Sequence, residues 1–459
     1  MDKPAKDLTL AGFILFLCVS ILQDTYMKGV LNYIWKNRLL PKSGLHTTDG
    51  EELCIISYGE EDKVENIFHN VRVRIGGQEW YGDVAIHENL QEEKKPESTT
   101  SPSTDGMTVL HVTDGNGTLT ETAPGTSSRL SLKLPESLAK EFENAIRHSQ
   151  CIPCHESLKS IGGINMNSYL SRLLIERIEE KAENILQTFS ECSGLWDDTL
   201  LKTIIRSFGF GIQGDIFEKW AKVLNMNALG KHRDNLLQVE AIMFGQAGLL
   251  EEESIPHYYR SQALDSGYYR EIVREFRFLK NKFNLNSIGF HEWGNGSATP
   301  HVRIARIAAL YSTKRIGFSS MAACDTISSH YTLLDTTLEG YWSNHTCLGG
   351  TETCGNGGMK QRQLDIIVIN AVVPLLYIYG KHRNDTASSG KAEELLHHLK
   401  SEENSIIKKW LGKGLEISCA ADSQAILQLE KKYCRMRNCI GCRFAYHYIK
   451  ERIAGIETR

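Results

Sequence analysis

The sequence predicts an α+β chain, a small strand-rich N-terminal domain followed by a large all-α domain. Residues 45–135 alternate apolar and polar side chains with period two between glycine turns, as half-buried strands do. From about residue 136 apolar residues recur at three- and four-residue spacing, which lines them up on helical stripes. Composition bounds both readings: 459 residues, 41% hydrophobic and 24% charged, are ordinary for a globular protein. That balance excludes a collagen-like, wholly disordered or multi-span membrane chain. With 52 Lys and Arg against 56 Asp and Glu, the net charge is −4, too acidic to coat nucleic acid generally but compatible with one local basic patch.

Residues 1–26 form an apolar extension. Leu8 to Leu22 is shorter than the ~20 residues a spanning helix needs, and no small-residue cleavage site follows it. The expectation is an over-long start rather than an anchor or secretion signal. Residues 27–135 then form the α/β or β-rich domain. Val30 to Leu40 reads as a short amphipathic helix. Val71-Arg-Val73-Arg-Ile75, the Gly76-Gly77 turn and Trp80 to Ile86 read as a hairpin, because paired glycines supply the positive φ of a tight turn. Val109 to Val112 and Arg129 to Leu134 are further strands, separated by a Glu/Lys/Ser/Thr/Pro loop over 91–105 and an Asp114-Gly-Asn-Gly117 turn.

Residues 136–459 are expected to be all-α. Ser168 to Phe189 places Leu170, Leu173, Leu174, Ile178, Ala182, Ile185, Leu186 and Phe189 on one stripe. Helices are also expected over 213–224, 232–247, 267–283, 300–312, 391–400 and 403–411. Ile366 to Tyr379 is apolar all round with Pro374 inside it, and reads as a buried, kinked helix rather than a membrane span. The stretch 313–361 has no clear pattern.

Twelve cysteines in a chain of this length are too sparse for a disulfide scaffold, and three of them fall together in Cys434-x4-Cys439-x2-Cys442. A Cys-x2-Cys turn presents two sulfurs to one metal, and thiolates next to basic residues ionise readily. Residues 430–459 hold eight Lys or Arg and three Asp or Glu, 8 − 3 = +5, in an otherwise acidic chain. The site expected here is a [4Fe–4S] cluster or zinc held by Cys434, Cys439 and Cys442. Cys419 is the proposed fourth ligand, with His447 and Cys154 as rivals. Such clustering also points to a reducing, cytoplasmic compartment.

Other motifs carry less. Cys151-Ile-Pro-Cys154-His155 matches haem-attachment and redox patterns, but it follows a helical-looking segment rather than the strand a redox motif needs. His232-Arg233-Asp234 lacks the companion loops of a kinase site. Phe208-Gly-Phe-Gly211 lacks the strand and the Lys-Ser/Thr of a phosphate cradle.

The chain resembles an uncharacterised bacterial family, a domain of unknown function, over about residues 27–450. The resemblance is carried by Tyr33-Ile-Trp-Lys, Thr47-Thr-Asp-Gly50, Ile75-Gly-Gly with Trp80, Phe244-Gly-Gln-Ala-Gly-Leu-Leu250, Pro300-His-Val-Arg-Ile-Ala305 and the closing Cys-x2-Cys. It implies an N-terminal domain similar to a restriction-endonuclease-like core, in which an aspartate and a glutamate would hold Mg²⁺ for phosphodiester hydrolysis. Ile67 stands here at the aspartate position and Ala85 at the glutamate position, so the resemblance implies a degenerate core. Asp83 and Glu88 are the nearby carboxylates through which a migrated site would have to run.

The resulting expectation is a cytoplasmic, nucleic-acid-associated protein with an inactive nuclease-like domain and a C-terminal Cys site, whose Lys431, Lys432, Arg435, Arg437 and Arg443 meet phosphates. The alternative is a non-catalytic helical interaction protein whose cysteines only clip helices together. A third reading is a hydrolase built around His232, Asp234, Glu240 and Gln246.

Overall fold

The computed structural model describes residues 30–40, 44–62, 67–87, 108–113, 128–131, 152–210, 213–290, 300–351 and 357–453. The N-terminal extension, the 91–105 loop, Glu88, Cys18, Cys151 and Cys354 lie outside the described residues. The chain is α+β as expected, strand-rich at first and then helical.

Seven strands form one sheet: β1 (Leu45–His46), β2 (Glu52–Ser57), β3 (Glu60–Glu61), β4 (Ile67–Ile75), β5 (Gln78–His87), β6 (Thr108–Thr113) and β7 (Ser128–Ser131). Their order is β1-β2-β4-β5-β6-β7, with β3 paired to β4. The pairs up to β4–β5 are antiparallel, whereas β5–β6 and β6–β7 are parallel. The hairpin follows the sequence pattern: Ile75 pairs with Gln78, and Gly76 and Gly77 turn at φ +56° and +85°, where side chains with a Cβ are disfavoured.

Alternation sets which face is covered. Leu53, Ile55, Val71, Val73, Val84, Ile86, Leu110 and Val112 are all buried. The helix Val30–Lys36 buries Leu31, Ile34 and Trp35. The Trp35 indole N–H donates to the Tyr58 carbonyl at 3.1 Å, and the Tyr58 hydroxyl donates to the Leu40 carbonyl at 3.1 Å. Each such fully buried large apolar side chain contributes roughly 1.5–3 kcal/mol. On the solvated side of the hairpin, Arg72 and Arg74 pair with Glu79 at 2.5 and 2.6 Å.

The chain divides at other boundaries than the sequence reading of 27–135 and 136–459. One compact unit comprises Met1–Asn165 together with Glu430–Arg459, and the other is Met166–Leu429. The C-terminal cysteines therefore belong to the strand-rich unit and not to the end of an all-α domain. The 3₁₀ helix Cys154–Ser160 and the last helix Arg443–Ile453 meet within this first unit. Ser160 lies 3.2 Å from His447, and Arg452 pairs with Glu156 at 3.2 Å.

The second unit is built from helices joined by turns, with two isolated β-bridges, Cys347–Gly350 and Lys400–Cys419, among its described residues. In Gly163–Glu191 the expected stripe is buried from Leu170 to Ile185, but Leu186 is exposed. Leu236–Gln246 and Pro300–Ser312 are enclosed on nearly every side. Their aromatic neighbours interlock, with the Phe244 ring 4.9 Å from that of Trp342. Around Pro374 the helix Gln361–Ile367 passes through a π segment, Val368–Val372, into Val373–Arg383. The wider π turn relieves the ring-to-carbonyl clash that a proline creates inside a regular helix. Gln361–Arg383 is long and apolar enough to cross a membrane by length and composition, and 67% of its most apolar window is buried. The patternless 313–361 stretch folds as short turns of helix, Phe318–Ala322, Ile327–Leu334 and Gly340–Ser343.

Candidate functional site

Two arrangements in the first unit carry chemistry-bearing side chains. The first lies on the sheet. Strand alternation puts Asp83, Ala85 and His87 on one face of β5, and Ile67 and His69 on the same face of β4. Ile67 and Ala85 are direct register partners, so the two positions at which the resemblance places metal-binding acids do meet. Here they bring a methyl group against a branched alkyl chain.

The nearby carboxylate is already engaged. Asp83 lies 3.0 Å from His69 Nδ1, and Asp62 lies 3.4 Å from His69 Nε2. These two acids hold the His69 imidazole above its ordinary pKa, Asp83 most strongly through its hydrogen bond. On the other side of Ala85, the His87 and His111 rings stack with centroids 5.1 Å apart, and Nε2 of His87 lies 2.9 Å from Nδ1 of His111. The face thus offers imidazoles and two acids engaged on opposite nitrogens of His69, which can exchange protons but leave the paired positions Ile67 and Ala85 without the carboxylates that divalent-ion hydrolysis uses.

The second arrangement is the cysteine turn. A π segment, Leu429–Cys434, ends at a tight reversal in which Arg437 takes φ +54°. The Asn438 N–H donates to the Tyr433 carbonyl at 2.8 Å, and Cys442 N–H to the Cys439 carbonyl at 3.1 Å. Cys439 and Cys442 are buried and Cys434 is half-buried. The Ile152 N–H donates to Cys439 Sγ at 3.5 Å, which brings the segment leading into Cys154 against the turn. Burial pushes the Cys434 thiol well above its usual range, and the neighbouring Glu430, Cys442, Cys154 and Cys439 push it further. Tyr33 is raised too, first by burial and then by Cys442.

Cys154 was visible in the sequence only as a rival ligand. Its signal was the Cys-x-Pro-Cys spacing, whose other members point to unrelated chemistry. The preferred fourth residue, Cys419, belongs to the second unit, where it N-caps the helix Ala420–Gln428. Its Sγ lies 3.4 Å from Asp422 and 3.9 Å from His397. His447 is taken up by Ser160 and by Glu451 at 3.7 Å. Among the described residues, no group of three or more His, Cys, Asp or Glu side chains is arranged to hold a metal ion. The described cysteines, these four included, form no disulfide.

Around this turn the polarity splits. Lys431, Lys432, Arg435, Arg437 and Arg443 are all exposed, while Tyr433, Cys439, Cys442 and Phe444 point inward.

The polar residues of the hydrolase reading are not gathered. His232 lies 2.6 Å from Gln238, and Asp234 pairs with Arg315. Gln246 accepts from the Asn225 N–H at 3.0 Å and donates to the carbonyls of Val223 and Asn286. Glu240 accepts from the Tyr268 hydroxyl at 2.8 Å, and burial lifts its carboxyl to about 7. Each has a structural partner of its own.

The chain matches the model of a protein family of unknown function, DUF2851, over residues 29–405, and belongs to that family. No curated protein and no solved structure matches it.

Proposed function

We propose that this is a cytoplasmic, nucleic-acid-associated protein whose strand-rich unit has the layout of a nuclease core without its hydrolytic acids. The observation that carries the reading is the exposed cationic turn. Five basic side chains, from Lys431 to Arg443, face solvent beside the exposed Met436, on a segment whose Tyr433, Cys439 and Cys442 are buried. Clustered Lys and Arg on one short surface segment are what phosphate contact requires. The pairing of Ile67 with Ala85 supports binding without cleavage.

In the same reading the thiols of the turn hold a metal centre, zinc or an iron–sulfur cluster. Cys434, Cys439 and Cys442, with Cys154 carried to the turn by the segment whose Ile152 N–H donates to Cys439 Sγ, would be its ligands once an ion draws them together, since the described residues hold no ready-made group. Four sulfurs from loops and helix ends are the usual ligand set of both, and a cubane accepts sulfurs set wider than a single ion does. A centre of this kind needs a reducing compartment.

Fluorescence anisotropy of the full chain on DNA and RNA, at several salt concentrations, tests the first part. Binding should weaken with salt, and Lys431→Glu with Arg435→Glu should weaken it equally across sequences, lowering the salt slope by about one per lost phosphate contact. Reversals that change nothing would leave the helical interaction reading in its place. Anaerobic purification with metal and sulfide analysis tests the second part. Cys154→Ser and Cys439→Ser should lose the metal and Cys419→Ser should keep it, whereas a metal-free wild-type chain ends this part of the proposal.

A further inference from the structure

The second unit holds a cleft that neither arrangement above uses. It opens to solvent, and among its lining residues are Lys181, Lys202, Arg206, Lys222, Asn184 and Thr188. Glu191 and Glu218 are its carboxylates. Glu218 is occupied, pairing with Arg206 at 2.7 Å and with Lys222 at 3.2 Å. Lys202, Arg206 and Lys222 against the two acids leave the cleft at 3 − 2 = +1 before any charge on Lys181. Lys202 makes no ion pair among the described residues.

Lys181 is the unusual member. Its Nζ donates to Asn370 Oδ1 at 2.9 Å, to Gln424 Oε1 at 2.6 Å and to the Ile369 carbonyl at 3.4 Å. All three acceptors are neutral, and no carboxylate touches it. Two of them come from the π segment Val368–Val372, a geometry that recurs at functional sites. Desolvation, helped by Arg177 and Arg206 and opposed by Glu402 and Glu180, brings the ammonium down to about 7. A desolvated ammonium with only neutral partners is costly unless a counter-charge arrives.

We propose that this cleft binds a small tetrahedral oxyanion of the phosphate class, with Lys202, Arg206 and Lys222 as its donors and Lys181 as the positioning charge behind them. The site is independent of the thiol turn and of nucleic-acid binding. Glu402 and Glu180 act on Lys181 only from beyond contact; the anion adds a negative charge closer to it, so binding draws a proton onto Lys181 near neutral pH.

Isothermal titration calorimetry of the full chain with sulfate, which does not itself titrate near neutrality, tests this directly. One-to-one saturable binding is expected, and comparison of two buffers of different ionisation heat should reveal proton uptake at pH 7 to 8. Lys202→Glu should weaken binding by about tenfold or more, and Lys181→Met should abolish the proton uptake. Lys202→Glu lies on a partly exposed helix face and keeps the test valid if Lys181→Met fails to fold. Inorganic phosphate and a 5′-nucleoside monophosphate, run in parallel, distinguish a free anion from a phosphomonoester group. Absence of saturable binding of all three probes, or a Lys202→Glu chain that binds as well as wild type, overturns the proposal.

Discussion

Ile67 on β4 and Ala85 on β5 are register partners, placed side by side on one face of the sheet. Where acids at these positions could clamp a divalent ion, this pair can only exclude water. Restoring the acids should therefore create a cation site. Ile67→Asp with Ala85→Glu sets two negative charges opposite each other and should cost up to about 1 kcal/mol without metal. Thermal unfolding with and without Mn²⁺ should show a rise in Tm for the double variant and none for the wild type.

His69 should titrate above an ordinary histidine, because Asp83 and Asp62 favour its charged form. Its folded pKa is raised, so the pair's contribution is complete below the unfolded pKa and fades as pH rises through the folded one. Histidine NMR titration should show Asp83→Asn lowering the His69 pKa more than Asp62→Asn does. Equal effects of the two variants would contradict the unequal geometry at 3.0 and 3.4 Å.

Glu240 gives the same sign by another route, because burial favours its neutral form. Its folded carboxyl titrates near 7 instead of 4.5, so the folded state holds a proton that the unfolded state has lost between those values. Stability should fall as pH rises across that window, and the loss should be complete above it. Glu240→Gln should flatten this dependence in urea unfolding followed from pH 5 to 8, while keeping a partner for the Tyr268 hydroxyl.

His301 is pushed down to about 3 by burial. Below pH 6.5 the unfolded chain takes up a proton that the folded chain refuses, so the second unit should lose stability steadily toward pH 3. Acid unfolding monitored by tryptophan fluorescence should report this, since Trp342 lies 5.9 Å from the His301 ring.

Gly245 has no room for a side chain. A Cβ there would meet the Phe276 ring at 2.2 Å, and two packed helices cannot part locally. Gly245→Ala should destabilise the chain by about 1–3 kcal/mol or more in denaturant unfolding.

What could be read from sequence was what is local. The β4–β5 hairpin announces itself through alternation and two adjacent glycines, and the Leu170 to Ile185 stripe through its spacing. The cap at Cys419 is less local, because Asp422 reaches back from the third helical position to the Ser418 and Cys419 N–H groups. The approach of Ile152 to Cys439 spans 287 residues, and no periodicity encodes a contact of that range. Lys181 was equally silent, since a stripe identifies apolar positions and passes over a lysine whose surroundings are set by Asn370 and Gln424.

The strand-rich unit is written in two pieces of chain, with the whole helical unit between them. A ribosome thus releases every residue of the helical unit before the last thirty that complete its neighbour. For much of synthesis the segment Cys154–Ser160 must wait without the helix Arg443–Ile453 that packs on it, and a chaperone would have its longest opportunity there.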